Sequence, residues 1–490
     1  MNAPPESLNS KRPLAIGILL LTLLAFGLRI FRLSNQSFWI DEVSSVMAAQ
    51  GPLKGIYERS VLAANSLPTF FLMLKPFVTA PGADIEIRAR LLSVIAGTLA
   101  VPVFIGVVYL WRRKRKAALL AGALLAVNPL HLWYSQEVRG YAVMLLFGLA
   151  ALFCFELARE RKRTVWWVLY FLNAIMAIAV HRTGIIFPAA CGLWHLAEVW
   201  KKRDSWKWLL GHAPVFVAIL VALSLKSYPP AEGYSRSASG LEIGYTFLTF
   251  VGGYSFGPPV TDIQSLGPLG AISRHPIQTG ISVVVLASLG LAFILNFRRL
   301  ISGREIQLLL FSVGVVSVYA LISGFPYNVR YVLPGLLGLL ALAAVLGGES
   351  PKACFARATV TGLFIVSLWA DNQWFYARDY RKDDSRAVAD WLVEHRDTVH
   401  SWEILPSYMN TPVEWYLQRA PDVLAREMHS TGDRSTSFPP VPDVFILTRR
   451  HHLQGPDNMI SAYQTAAHGM ETNREFAGFE LYVRAKEGVR

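Results

Sequence analysis

Residues 13–28 read PLAIGILLLTLLAFGL, and residues 29–42, which follow directly, read RIFRLSNQSFWIDE. An uncharged apolar run of this kind, with Lys11 and Arg12 before it, has the composition of a membrane-spanning helix. No small-x-small cleavage pattern follows it, so it reads as a retained signal-anchor rather than a cleaved signal peptide. Basic residues favour the cytoplasmic side of a membrane. Lys11 and Arg12 therefore put the N-terminus inside, and FWIDE emerges on the outer face.

Ten further apolar runs follow before residue 371, of which those at 117–132 and 184–199 are short. The segments between them alternate in charge. RRKRK (112–116), RERKR (159–163), KKR (201–203), FRRLISGR (297–304), and Lys352 with Arg357 fall in every second loop. With Lys11, Arg12 and Lys207 these loops hold 20 basic residues. The positive-inside rule makes them cytoplasmic, and an odd number of spans leaves the C-terminal segment outside. The expectation is a polytopic α-helical membrane protein with about 11 transmembrane helices, at home in the cell (inner) membrane.

Composition agrees. Hydrophobic residues make up 53% of the 490 residues, charged residues 17%, and the mean hydropathy is +0.37. Soluble domains carry about 25% charged residues, and disordered chains are far less apolar. The net charge of +13 and pI near 9.6 would suit a nucleic-acid binder. The charge is not spread that way: residues 1–371 hold 33 basic and 17 acidic residues, and residues 372–490 hold 14 and 17. The surplus reports membrane orientation plus a set of outer-face cations, so nucleic acid is not an expected partner. Three cysteines without C-x-x-C spacing give neither a disulfide framework nor a zinc site.

Two domains are expected, a multi-span catalytic domain at 1–371 and a soluble extracytoplasmic α/β domain at 372–490. In the second, SWEILP, PDVFILT and FELYVRA read as short strands, while RKDDSRAVADWLVEHR, NTPVEWYLQRA and NMISAYQTAAHG read as helices. In the first, the outer loops at 34–88 and 226–276 are long and rich in Pro, Gly and aromatics, with amphipathic stretches in the former. Long loops of this kind usually carry function.

Candidate chemistry gathers on that outer face. Asp41 and Glu42 are adjacent carboxylates just after the first span. Asp41 suits a general base, but equally suits a helix N-cap, with Glu42 favoured by the helix dipole. NPLHLWYSQEVRGY (128–141) places Tyr134, Gln136, Glu137 and Arg139 together. Glu137 and Arg139 read either as an ion pair or as a second acid beside a phosphate anchor, and the aromatics as an interfacial belt. Lys75, His181 with Arg182, and Arg330 with Tyr331 lie at outer helix ends, where a snorkelling cation is the plain alternative.

The segments FWIDE, SLPTFFLMLK, RARLLSVIAGTLAVPVF, NPLHLWYSQEVRGY, AVHRTG and RYVLPG occur in an order that resembles bacterial membrane glycosyltransferases of the GT-C superfamily. The likeness is to the protein mannosyltransferase-like and aminoarabinose transferase-like branch (glycosyltransferase family 39 type). It covers about residues 10–200, and 320–340 less closely. The resemblance implies a GT-C fold and a polyprenyl-phosphate-linked sugar as donor. The acceptor would be a glycolipid, a polysaccharide or a protein, and the surroundings membrane lipid. It implies Asp41 as base, with Glu42 and Glu137 as the further catalytic acids. Lys75, Arg139, Arg330 and Tyr331 would bind the donor phosphate, with His181, Arg182, Tyr134 and Gln136 as further substrate contacts. One departure stands out: where the family has His-Pro-Pro, this chain has Ser66-Leu67-Pro68, with Asn65 the nearest polar substitute. A divalent metal is compatible with such carboxylates; no dedicated ligand cluster is present, and no cofactor is assigned.

The expected reaction is an inverting displacement at the anomeric carbon. The alternatives are a ligase or polymerase using a diphosphate-linked glycan on the same scaffold, and a glycolipid transporter. The last is disfavoured because the charged residues sit at span ends rather than at the midplane.

Overall fold

The computed structural model describes residues 8–58, 67–82, 84–224, 240–323, 327–349, 353–405, 409–427, 442–448 and 470–484. In chain order its helices begin with α1 (Leu8–Ile30), α2 (Ile40–Gln50), α3 (Leu53–Tyr57), α4 (Thr69–Thr79), α5 (Ile85–Arg112), α6 (Arg115–Ala126) and α7 (Pro129–Ser135). They continue with α8 (Tyr141–Arg161), α9 (Thr164–Val180), α10 (Ile186–Trp200), α11 (Ala213–Ser224), α12 (Gly240–Gly252), α13 (Val260–Arg274) and α14 (Pro276–Leu295). The last are α15 (Phe297–Leu300), α16 (Arg304–Ser323), α17 (Leu333–Glu349), α18 (Ala353–Tyr376), α19 (Ser385–Glu394), α20 (Asn410–Leu417) and α21 (Pro421–Leu424). The chain forms two compact units. One is Met1–Leu33, Ala48–Gly257 and Pro276–Phe375; the other is Ser34–Met47, Pro258–His275 and Tyr376–Arg490.

The first unit is a helix bundle. A helix occupies each of the eleven apolar runs, but the runs are not equal. Among the described residues seven stretches are long and apolar enough to cross a membrane: Pro13–Ile30, Ile85–Arg112, Tyr141–Arg161, Pro276–Leu295, Arg304–Ser323, Val329–Glu349 and Cys354–Tyr376. The pair α6 and α7, bent by 58°, makes an eighth if taken as one broken span. The others are short. At ~1.5 Å rise per residue a 17-residue helix such as α9 covers about 26 Å, less than the ~30 Å hydrocarbon core.

The break between α6 and α7 shapes this unit. Pro129 has no N–H to continue the helix, and Asn128 caps the new one by accepting from the His131 N–H at 3.0 Å. Carbonyls freed by the break need donors. Arg29, fully buried on α1, supplies them: Nη1 donates to Ala126 O at 3.1 Å and Nη2 to Leu125 O at 3.4 Å. The same guanidinium reaches Ala25 O (2.9 Å), Ser135 Oγ (3.2 Å) and His131 Nδ1 (2.7 Å). Its electrostatic counterpart is Asp371 on α18. Gly97 on α5 makes room for this arrangement, since a Cβ there would strike Ser135. Gln136, just past α7, ties off the end of α1. Its Nε2 donates to Arg29 O at 2.9 Å and Phe31 O at 3.0 Å, and its Oε1 accepts from Trp374 Nε1 at 2.7 Å.

The second unit contains a four-stranded sheet of order β1-β2-β4-β3, with β1 Trp402–Leu405, β2 Val444–Thr448, β3 Met470–Phe476 and β4 Phe479–Arg484. β1 and β2 are parallel; β2–β4 and β3–β4 are antiparallel. The three strands and two of the helices expected from sequence are present. The helix expected over NMISAYQTAAHG lies outside the described residues. β3 escaped a sequence reading because METNREF lacks an apolar alternation; it is fixed by its hairpin partner and by a register shift between Thr472 and Arg474. The core joins Trp402, Ile404, Val444, Ile446, Phe479 and Leu481 from the sheet to Val388 and Leu392 of α19. α19 starts at Asp384, whose carboxylate accepts from the Ala387 N–H at 3.2 Å.

Candidate active site

In the second unit, Asp41 and Glu42 occupy the first turn of α2, where the helix dipole favours negative charge. Their environments differ. Glu42 is fully buried and lies 3.2 Å from the ammonium of Lys382, itself 6% exposed. Asp41 is half-buried, and its carbonyl accepts from Ser45 Oγ at 2.8 Å.

In the first unit, the NPLHLWYSQEVRGY segment turns sharply after α7. Glu137 is buried, and its carbonyl accepts from Ser93 Oγ at 2.6 Å and from the Arg139 N–H at 2.8 Å. That carbonyl anchors the turn to α5 and sets where the Glu137 and Arg139 side chains begin. Next to them the Tyr134 and Tyr254 hydroxyls are 3.1 Å apart. Burial raises the Tyr254 phenol above its ordinary value; the Tyr134 bond and the Arg330 charge pull it down, and the Glu137 charge pushes it up. Glu137 and Arg330 are thus both within electrostatic reach of one hydroxyl.

His181 lies just beyond the end of α9. Its Nδ1 accepts from the Thr183 N–H at 3.3 Å, opening the 3-10 turn Arg182–Ile185. The ring is pushed down to about 3, by burial first and then by the charges of Arg139, Arg330 and Arg182. The charges of three arginines from three separate turns therefore all act on one neutral imidazole. Tyr141 packs on this ring at 4.7 Å between centroids and Tyr331 stacks over it at 6.5 Å. The Arg330 guanidinium sits 5.4 Å above the Tyr331 ring. A concentration of guanidinium groups bounded by aromatics is suited to a phosphate carried on an apolar chain.

Two expected site residues are otherwise engaged. The three protons of the Lys75 ammonium point at the carbonyls of Gly51 (2.7 Å), Ala49 (3.3 Å) and Gln50 (3.5 Å), so Lys75 ties down the end of α2. Gln136 spends its amide on the end of α1 and on Trp374, as described above. Of the His-Pro-Pro position, Leu67 and Pro68 are described, while Asn65 and Ser66 lie outside the described residues. Among the described residues no group of three or more His, Cys, Asp or Glu side chains is placed to hold a metal.

Sequence reasoning missed Tyr254, although it marked the surrounding loop, and it missed Lys382. A tyrosine within GGYSFGPP carries a turn signal but no chemical one. Lys382 sits in a charged stretch far along the chain from Glu42, so no local pattern joins them.

Residues 68–225 match the family model of dolichyl-phosphate-mannose-protein mannosyltransferase. No curated protein sequence matches the chain. Among solved structures, ArnT from Cupriavidus metallidurans bound to undecaprenyl phosphate aligns over 96% of this chain and 98% of its own, with TM-score 0.51 and 12% identity. ArnT in the apo state aligns over 97% and 98%, with TM-score 0.52 and 11% identity. The oligosaccharyltransferase AglB from Archaeoglobus fulgidus, in complex with an inhibitory peptide and a dolichol-phosphate, aligns over 99% and 75%, with TM-score 0.48 and 10% identity. Residues 68–225 are thus similar to the dolichyl-phosphate-mannose-protein mannosyltransferase family, and the chain shares its fold with ArnT along nearly its whole length.

Proposed function

We propose that the protein transfers a sugar from a polyprenyl-phosphate-linked donor to an acceptor hydroxyl at the extracytoplasmic face of the inner membrane. The observation that carries this reading is the packing of His181 against Tyr141 and Tyr331 with the Arg330 guanidinium over the Tyr331 ring, where the charges of Arg139 and Arg182 also act. The family match, and the undecaprenyl phosphate named for the similar ArnT structure, support the same donor class.

In the proposed reaction the acceptor oxygen attacks the anomeric carbon while the bond from that carbon to the phosphate oxygen breaks. Asp41 takes the acceptor proton, and the electron pair leaves with the polyprenyl phosphate. Negative charge grows on the leaving phosphate as the transition state gains oxocarbenium character, so fixed cations there lower the barrier. Arg139, Arg182 and Arg330 fill that role, and the neutral His181, with Nδ1 occupied by Thr183, offers its Nε2–H as a further donor. Tyr331 supports Arg330, Tyr134 and Glu137 serve the acceptor, and Lys75 acts one step back by holding the end of α2. Displacement in one step inverts the anomeric centre.

The basic loops are proposed to face the cytoplasm and the C-terminal domain, residues 372–490, to face outward. The test offers membranes containing the protein a panel of labelled polyprenyl-phosphate sugars, with and without chelator. Transfer from at least one is expected, and Asp41→Asn is expected to slow it by roughly 10²–10⁴-fold, the usual worth of a general base. Transfer from none refutes the donor class; near-normal transfer by Asp41→Asn refutes the base.

A further inference from the structure

We propose that Lys382, near the start of the C-terminal segment, is the positioning residue for the acidic pair Asp41–Glu42, and that the soluble domain is needed for transfer through this contact. The inference rests on the proposed function, because Asp41 is that reaction's candidate base.

The contact is built, not incidental. Lys382 Nζ lies 3.2 Å from Glu42 Oε2 and 5.7 Å from the centre of the Trp39 ring, inside the second unit. Both charges are withdrawn from solvent, so removing either one leaves the other buried without this partner. Around this pair the two segments are laced together. The Lys382 N–H donates to Gln36 Oε1 at 2.9 Å, Ser37 Oγ to Asp383 O at 2.9 Å, and Arg386 to Ser34 O at 3.2 Å. The Phe38 N–H donates to Tyr416 Oη at 2.7 Å. The approach to FWIDE is thus held at residues 34, 36, 37 and 38, and Glu42 is held at the far end.

The segment that does this is itself fixed by the sheet. The Asp384 N–H donates to Ala477 O at 2.8 Å, in the turn between β3 and β4, and Arg378 donates to Glu475 O at 2.6 Å. Gly478 in that turn has φ +79, and a Cβ there would strike Asp383. The β3–β4 hairpin sets residues 382–384, and they set the acidic pair.

The consequence is a division of labour. Successive helical residues point about 100° apart. Anchoring Glu42 toward Lys382 therefore turns Asp41 out of that pair, where it is half-buried rather than enclosed. Glu42 is fixed toward Lys382, and Asp41, on a different side of the helix, remains the candidate base.

The test uses the full chain reconstituted in lipid, with hydrogen exchange over residues 34–47 and transfer kinetics as readouts. Lys382→Met is expected to raise exchange in that segment at least tenfold. It is also expected to lower kcat at least 100-fold, with KM for the donor changed less than threefold. Lys382→Arg, which keeps the charge, is expected to recover both. If Lys382→Met does not fold, the double variant Glu42→Gln/Lys382→Met, which leaves no lone charge, carries the test with the same expected pattern. Wild-type exchange over 34–47, wild-type kcat, or an arginine variant no better than methionine overturns the proposal. If the wild-type protein uses no polyprenyl-phosphate sugar, the proposed function falls alone, and the exchange measurement still decides the contact.

Discussion

Arg29→Met removes the donor set that permits the break between α6 and α7. Methionine is close in length to arginine and leaves little void, so the cost is mainly electrostatic. The Ala126 carbonyl loses its Arg29 donor at 3.1 Å in a buried region, while Leu125 O loses the Arg29 contact at 3.4 Å but keeps the Asn128 N–H at 3.5 Å. A buried group left unsatisfied costs about 1–3 kcal/mol. Asp371, 4% exposed, has no hydrogen-bond partner on either oxygen, and Arg29 is the charge that acts on it. Losing the nearby cation leaves that buried, unpartnered carboxyl less favourably placed and adds about 1–3 kcal/mol. Together these reach roughly 2–6 kcal/mol, a large part of the ~5–15 kcal/mol that holds a typical protein folded. Arg29→Met is expected to leave little monodisperse protein on size exclusion after detergent extraction. Adding Asp371→Asn is expected to restore part of it by removing the carboxyl on which the Arg29 charge acts. A single variant whose thermal midpoint stays within about 1 °C of wild type, roughly 1 kcal/mol in a protein of this size, would refute the role given to Arg29. So would a double variant no better than the single.

Two groups predict opposite pH dependences of stability. His181, about 3 when folded against an ordinary 6.5, refuses a proton that the unfolded chain binds. Its contribution is therefore complete above 6.5 and is lost as pH falls toward 3. The thermal midpoint in detergent should drop through that window, and His181→Gln should flatten the drop. Glu427 is raised from 4.5 to about 8, by burial first and then by Glu414 and Glu403 against the opposing bond from Asn410. Its folded form keeps the proton, so its contribution is complete below 4.5 and is lost as pH rises to 8. Tryptophan fluorescence melts should show the alkaline loss in wild type and a smaller one in Glu427→Gln.

Much of the candidate site was legible because its chemistry is local. Glu137 and Arg139 share one turn, His181 and Arg182 another, and Arg330 and Tyr331 a third, each at the end of an apolar run. What could not be read was which of these residues serve one another. Lys75 reads as a free cation at a helix end until the carbonyls of Ala49 and Gly51 come to it. Gln136 reads as a polar residue in a promising motif until it is found tying off α1. Glu42 reads as the acidic neighbour of Asp41, and its burial against Lys382 carries no mark in the sequence beside it.

The amino-acid sequence by itself determined the helical membrane class, the order of the apolar runs, the soluble C-terminal segment and the cation-rich helix ends. Each of these depends on composition and spacing within a few tens of residues, the range over which hydropathy and charge act without long-range contacts. Tertiary structure decided the break at Asn128–Pro129, the burial of Arg29 and Lys382, and the action of three arginine charges on His181. Those outcomes depend on burial. A polar group removed from water must find its partner wherever the fold brings one, and that partner carries no mark in the sequence beside it.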